Sequence, residues 1–187
     1  MRKLIWAINL TIDGFADHTA GIADDELHDF FSDLLDSVDT VLFGRKTYEL
    51  MADFWPYAKD DARSTESIMN FAEKYNSIHK IVFSKTLAKV TWNNTELIKD
   101  DASIEVLKLK QQNGKDLSVG GTTMASSLMK EGLIDECRFL IHPVLLGKGK
   151  KLIDNLDNKI NLKLVDKKVL GSVVIALQYE KSQLGVL

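Results

Sequence analysis

Two segments of this chain share one pattern. Val41-Leu42-Phe43-Gly44-Arg45-Lys46-Thr47 and Leu117-Ser118-Val119-Gly120-Gly121-Thr122-Thr123 are each an apolar run that breaks at glycine and enters a helical periodicity. An apolar strand that feeds directly into a helix belongs to a sheet whose strands run parallel, because a parallel return needs a crossover. At such a junction the free N–H groups of the first helical turn and the positive end of the helix dipole converge on one spot. Glycine lets an anion approach the backbone there. One junction alone is a weak signal, but two on strands of the same sheet open along a common edge, where ligands settle, and suggest a dinucleotide.

The surrounding pattern agrees with a sheet covered by helices. Residues 3–10 read as a first strand, followed by a turn-rich stretch through Gly21 that is long for a plain connector. A helix follows over 24–38, where Leu27, Phe30, Phe31, Leu34, Leu35 and Val38 recur at helical spacing behind the acids Asp24, Asp25 and Glu26. Strands are expected at 40–43, 78–83, 90–92, 96–98 and 117–119. Helices are expected at 45–51, 64–75, 102–111 with Ile104 and Leu107 inward, and 124–130, with Gly132 placed to end the last. The C-terminal part changes character: 136–141, 162–170 and 173–180 are strand-like, and Gly171-Ser172 reads as a tight turn between the last two. The expected fold is therefore α/β, a mostly parallel mixed sheet with helices on both faces in three αβα layers and an antiparallel C-terminal hairpin. With 187 residues, 45% of them hydrophobic, one domain over 1–187 is expected.

Charge and cysteine content narrow the function. Twenty-four basic against 27 acidic residues leave a net charge of −3, which offers no general attraction to nucleic acid or an anionic bilayer, so phosphate binding has to be local. The single Cys137 excludes an intrachain disulfide and a thiolate metal cluster, and no metal-ligand spacing occurs among His18, His28, His79 and His142. No apolar run approaches the roughly 18 residues of a membrane span. A cytoplasmic protein is expected. Arg45 and Lys46 at the first junction, with Ser84 and Lys85 after the 78–83 strand, suit a ribose 2′-phosphate, a doubly charged group recognised by cations and hydroxyls. NADPH is therefore expected over NADH.

The chain resembles the dihydrofolate reductase-like superfamily, and within it the RibD C-terminal branch, typified by the reductase half of the riboflavin-pathway deaminase-reductase. The carriers of the resemblance are Thr11-Ile12-Asp13-Gly14-Phe15, Gly44-Arg45-Lys46-Thr47-Tyr48-Glu49, Val82-Phe83-Ser84-Lys85, Val119-Gly120-Gly121-Thr122 and Pro143-Val144-Leu145-Leu146-Gly147-Lys148-Gly149. It implies an NADPH-dependent reductase of a flat heterocycle, with Gly44 to Thr47 and Gly120, Gly121, Thr122, Thr123 and Met124 on the cofactor phosphates. It further implies Ser84 and Lys85 near the 2′-phosphate, a cis peptide between Gly120 and Gly121, and a homodimer. The chain departs from dihydrofolate reductases where their pterin-protonating acid falls, since Leu27 or His28 stands there, and Ile78-His79-Lys80 replaces their folate-tail arginine. The reaction needs a proton as well as a hydride. Asp24, at the rim of the first helix's apolar face, is the leading acid, with the N-cap role as its structural alternative. Asn9 offers an amide, and Asp13 is either a further site residue or a turn former. Phe54-Trp55-Pro56-Tyr57 could roof a flat ring or simply pack a loop. Two other readings stay open: a pterin reductase, and a non-catalytic NADP(H)-binding protein.

Overall fold

The computed structural model describes residues 1–171 and 173–182; the expected turn residue Ser172 lies outside them. Among the described residues, eight strands form one sheet in the order β4-β3-β2-β5-β1-β6-β8-β7. They are β1 (Leu4–Thr11), β2 (Val38–Gly44), β3 (His79–Phe83), β4 (Thr95–Ile98), β5 (Asp116–Gly120), β6 (Glu136–His142), β7 (Leu162–Leu170) and β8 (Val174–Lys181). The first six pair in parallel, and β8 runs antiparallel to both β6 and β7. The α-helices among the described residues are α1 (Asp25–Ser37), α2 (Arg45–Ala52), α3 (Glu66–Ser77), α4 (Ala102–Gln111) and α5 (Thr123–Lys130), with a 3₁₀ turn at Trp55–Asp60.

Alternation along the central strands divides the core in two. Leu4, Trp6 and Leu10 of β1, Leu42 of β2, and Leu117 and Val119 of β5 meet Val106 and Leu109 of α4 and Ala125, Leu128 and Met129 of α5. Ile5, Val41, Phe43 and Val82 point the other way, onto Leu34 and Leu35 of α1, Tyr48 of α2 and Phe71 and Tyr75 of α3. The expected three layers are present. α1 continues over the antiparallel end, where Phe30 and Phe31 pack on Leu140, Leu170, Val174 and Ala176.

Two local expectations are corrected. In α4 the buried residues are Val106, Leu109 and Lys110, while Ile104 and Leu107 are 57% and 47% exposed. Apolar residues lie on both sides of this helix, so spacing alone does not select the inward face; the core cluster that takes in Val106 and Leu109 does. Residues 90–92 form no strand. The Tyr48 hydroxyl accepts the backbone N–H groups of Thr91 and Trp92, and Trp92 is buried by tertiary packing, which explains its apolar character without a sheet partner. Gly132 does end α5 in a left-handed conformation (φ +74°), its N–H on Met129.

The end of α3 is closed from outside the helix. Lys80, fully buried on β3, donates from Nζ to the carbonyls of Tyr75 (2.8 Å), Asn76 (3.3 Å) and Ile78 (2.8 Å), and its ammonium sits 4.5 Å from the centre of the Trp92 ring. The last carbonyls of a helix lack internal partners and carry the negative end of its dipole, so a cation here satisfies both needs. Burial still opposes the charge and lowers the Lys80 pKa to about 8. Lys80→Met keeps the aliphatic stem but removes the donor to the Tyr75 and Ile78 carbonyls, while Asn76 keeps the Asn94 amide. It is expected to lower stability by about 2–4 kcal/mol in urea denaturation, whereas an exposed lysine such as Lys89 changed to Met should shift it by less than about 0.5 kcal/mol.

Candidate active site

The two glycine junctions lie side by side. β2 and β5 are neighbours with Phe43 opposite Gly120, and β3 on the far side of β2 sets Phe83 opposite Gly44. The starts of α2 and α5 and the Ser84-Lys85 turn therefore line one edge of the sheet. The contact is close: a Cβ on Gly121 would collide with Thr47 Oγ1, and one on Gly44 would lie 3.8 Å from the Met124 Cβ. Gly121 also takes φ +82°, a conformation L side chains rarely adopt. Its carbonyl is pinned by the indole N–H of the fully buried Trp6 at 3.0 Å. No peptide among the described residues is cis, so the expected cis bond at Gly120-Gly121 is not formed; Gly121 turns the chain through its positive φ instead.

The helix starts differ in how they are capped. Asp24, Thr65 and Asp101 cap α1, α3 and α4 with side-chain oxygens, whereas Gly44 at α2 and Thr122 at α5 supply no side-chain cap. The first-turn N–H groups at the shared edge are thus left for an external acceptor. Around them, Arg45 is paired with Glu49 on its own helix at 3.1 Å. Lys46 and Lys85 are exposed and have no ion pair among the described residues. Ser84 Oγ accepts the N–H groups of Thr86 and Leu87, so this hydroxyl shapes its own turn.

From this edge a cavity of about 400 Å³ extends between the sheet and the α1–α3 layer. Its floor is made of Ala7 and Asn9 on β1, Val41 on β2, and Ser118 and Gly120 on β5. These positions share a face with Ile5 and Phe43, but most carry small side chains, and the volume they omit is the cavity. Its wall is aromatic: Phe31, Trp55 and Phe71, with Trp55 and Phe71 rings 4.5 Å apart. Of the Phe54-Trp55-Pro56-Tyr57 cluster, Trp55 reaches the cavity; Phe54 meets it edge-on at 5.0 Å and Tyr57 is 65% exposed.

The expected catalytic residues separate. Asp24 caps α1, its Oδ1 accepting the Leu27 N–H at 2.9 Å, and it does not line the cavity. Asp13 accepts from Thr11 Oγ1 at 2.6 Å and from the N–H groups of Leu146 and Gly147, tying the first loop to the 143–149 loop; these bonds hold its carboxyl below the usual range. Asn9 does face the cavity. Its Oδ1 lies 3.0 Å from Nε2 of His142, whose Nδ1 accepts the Ile22 N–H at 3.0 Å. An Nδ1 that accepts leaves the proton on Nε2, so His142 donates to Asn9 Oδ1 and directs the Asn9 NH₂ away from itself. His142 is 1% exposed, and burial lowers its pKa while the Asp24 charge partly opposes this.

His28, one of two residues matching the expected acid position, lines the cavity with its ring 6.1 Å from Trp55 and 6.3 Å from Phe71. Its Nδ1 lies 2.8 Å from the Asp24 backbone carbonyl rather than the carboxylate. A carbonyl only accepts, so Nδ1 carries the hydrogen and Nε2 is the atom left for a ligand. The alternation of Ala7 with Asn9 and Ser118 with Gly120 in otherwise bulky strands was the signal for the cavity floor.

The sequence matches the RibD C-terminal domain family over residues 2–176. An uncharacterized Bacillus subtilis (strain 168) protein, YyaP, is 35% identical over 185 residues, covering 95% of this chain and 94% of that one. A putative riboflavin biosynthesis protein from Shewanella sp. PV-4 superposes with TM-score 0.73 at 21% identity, covering 97% of this chain and 99% of that one. Acinetobacter baumannii RibD gives 0.68 at 15% identity; the match covers 98% of this chain and 59% of RibD. The chain belongs to the RibD C-terminal domain family and has its dihydrofolate reductase-like fold.

Two outcomes test this geometry. Gly121→Ala should cost about 1–3 kcal/mol in urea denaturation, from its positive φ and the Thr47 contact, and adding Thr47→Ala should recover the contact part. For His142 the folded pKa lies below its unfolded value of about 6.5. The unfolded chain therefore binds the proton first as pH falls, and the stabilisation present above pH ~6.5 is lost below it. The melting temperature should fall between pH 7 and pH 5, and His142→Gln should fall less over that interval.

Proposed function

We propose that this protein is an NADPH-dependent reductase of a small flat heterocycle, similar to the 5-amino-6-(5-phosphoribosylamino)uracil reductase of riboflavin biosynthesis. The observation that carries this reading is the pair of helix starts without side-chain caps, adjoining at one sheet edge and opening into an aromatic-walled cavity. The residues fit a dinucleotide. Gly121 leaves backbone and Thr47 close enough to face one phosphate, and Arg45, Lys46 and Lys85 stand at the same edge for a 2′-phosphate. Gly44, Thr47, Gly120, Gly121, Thr122, Thr123 and Met124 would hold the pyrophosphate bridge. Reduced nicotinamide, when bound, supplies a hydride.

The chain's own contribution is to bind a ring beside that edge, shield it from water and admit a proton. Asn9 presents its NH₂ to the ring. His28 Nε2 is the point of proton entry: the imidazole lies in the cavity, and the Asp24 carbonyl fixes its other nitrogen. In this reading Asp24 acts through α1 and His28, and Asp13 through the 143–149 loop. A cytoplasmic setting accords with the single, buried Cys137. A homodimer accords with the uncovered apolar side chains Leu164, Val169 and Ile175 on the edge hairpin, each more than 40% exposed.

Calorimetry tests the cofactor assignment. NADPH should bind, and the Arg45→Ala, Lys85→Ala double variant should weaken NADPH about 10–100-fold while changing NADH less than about threefold, as expected for loss of charge-assisted bonds to one phosphate. Equal weakening of both rejects the 2′-phosphate assignment. No heat with either nucleotide rejects the reductase reading.

A further inference from the structure

We propose that the ring taken by this cavity is uncharged and carries no phosphate, with a carbonyl held by Asn9 Nδ2 and a ring N–H held by His28 Nε2. This rests on the reductase reading for the word substrate, and on the cavity itself for the chemistry. The wall contains no lysine or arginine. The residues outside the described set, Ser172 and 183–187, include none either. Its one carboxylate among the described residues is Asp17, which the bonds from Thr19 and the adjacent His18 favour as the anion. The donors that attract anions are the helix starts at the sheet edge, and a bound dinucleotide would occupy those.

An anion placed deeper would lose its hydration to Phe31, Trp55, Phe71, Leu27 and Leu34 with no lysine or arginine to replace it, which is unfavourable. A neutral planar ring loses little water and gains the aromatic faces. Orientation then comes from the two polar atoms whose roles are set from behind. His142 holds Asn9 Oδ1, so the Asn9 NH₂ is a donor; the Asp24 carbonyl holds the His28 Nδ1–H, which leaves His28 Nε2 as the ring nitrogen free to accept. Neither Asn9 Nδ2 nor His28 Nε2 has a partner among the described residues. A donor and an acceptor in one apolar slot match the C=O and N–H of a lactam ring, and a site built on such hydrogen bonds discriminates strongly against rings that lack them.

The test is binding of lumazine, a neutral two-ring lactam, and of its 6-carboxylate, followed by calorimetry with and without saturating NADP⁺. Lumazine should bind in both conditions, and the carboxylate should bind at least tenfold more weakly once NADP⁺ fills the sheet edge. Asn9→Ala and His28→Phe should each weaken lumazine about 5–20-fold, with melting temperatures checked to confirm folding. Asn9→Asp, which keeps the size and removes the donor, supplies a second variant at that position and should weaken it at least as much. The proposal is overturned if lumazine does not bind, if its affinity ignores both side chains, or if the carboxylate binds as tightly as lumazine with NADP⁺ present. Failure of the reductase reading looks different: NADPH and NADP⁺ give no heat, while lumazine binding still depends on Asn9 and His28.

Discussion

The parallel pairing of β2 with β5 is the contact on which the rest of this structure depends. By setting Phe43 opposite Gly120 it places two strand ends level, so that the chain turns into α2 and α5 at adjacent points. The turn at Gly121 is possible only because no side chain stands between its backbone and Thr47. Trp6, buried on the opposite face from the cavity, reaches over the end of β5 to hold the Gly121 carbonyl. A hydrophobic anchor on β1, a glycine just past β5 and a threonine on α2 thereby define one small backbone surface beside two helix starts without side-chain caps.

The cavity follows from a second, quieter feature. The central strands are packed with large side chains toward α4 and α5, but toward α1 and α3, β1 carries alanine and asparagine and β5 carries serine and glycine. Close packing elsewhere keeps that space open, since α1 and α3 are held at their distance by Leu34, Leu35, Tyr75 and the bonds between Asp25, Asp29, Thr65 and Ser67. Polar groups that face it are oriented from behind by backbone atoms: Ile22 N–H through His142 to Asn9, and the Asp24 carbonyl to His28. Such support fixes donor and acceptor roles before a ligand arrives, which lowers the reorganisation needed on binding.

Much of this was legible in the residues. The strand and helix order, the antiparallel end, the two glycine junctions and the position of Asn9 all follow from periodicity and turn chemistry, which are local properties. α4 was legible as a helix but not in its facing, because Ile104, Val106, Leu107 and Leu109 satisfy two inward stripes and only the neighbours choose between them. Val90 to Trp92 reads like a strand because burial, whatever its cause, selects the same residue types. Asp24 fits both a helix cap and a rim acid, and spacing along one helix does not distinguish them; its bond to the Leu27 N–H makes the cap visible.

The chain's own order of residues determined which local structures form and where the backbone is free to bind, since glycine, helix starts and apolar alternation act over a few positions. Only the tertiary structure decided which of those sites meet. Neighbours in the sheet come from distant parts of the chain: β5 lies between β2 and β1, and His142 reaches Asn9 across 133 positions. That meeting is a matter of sheet order and register, which no short stretch encodes, because each pairing is selected by the burial of the whole core at once.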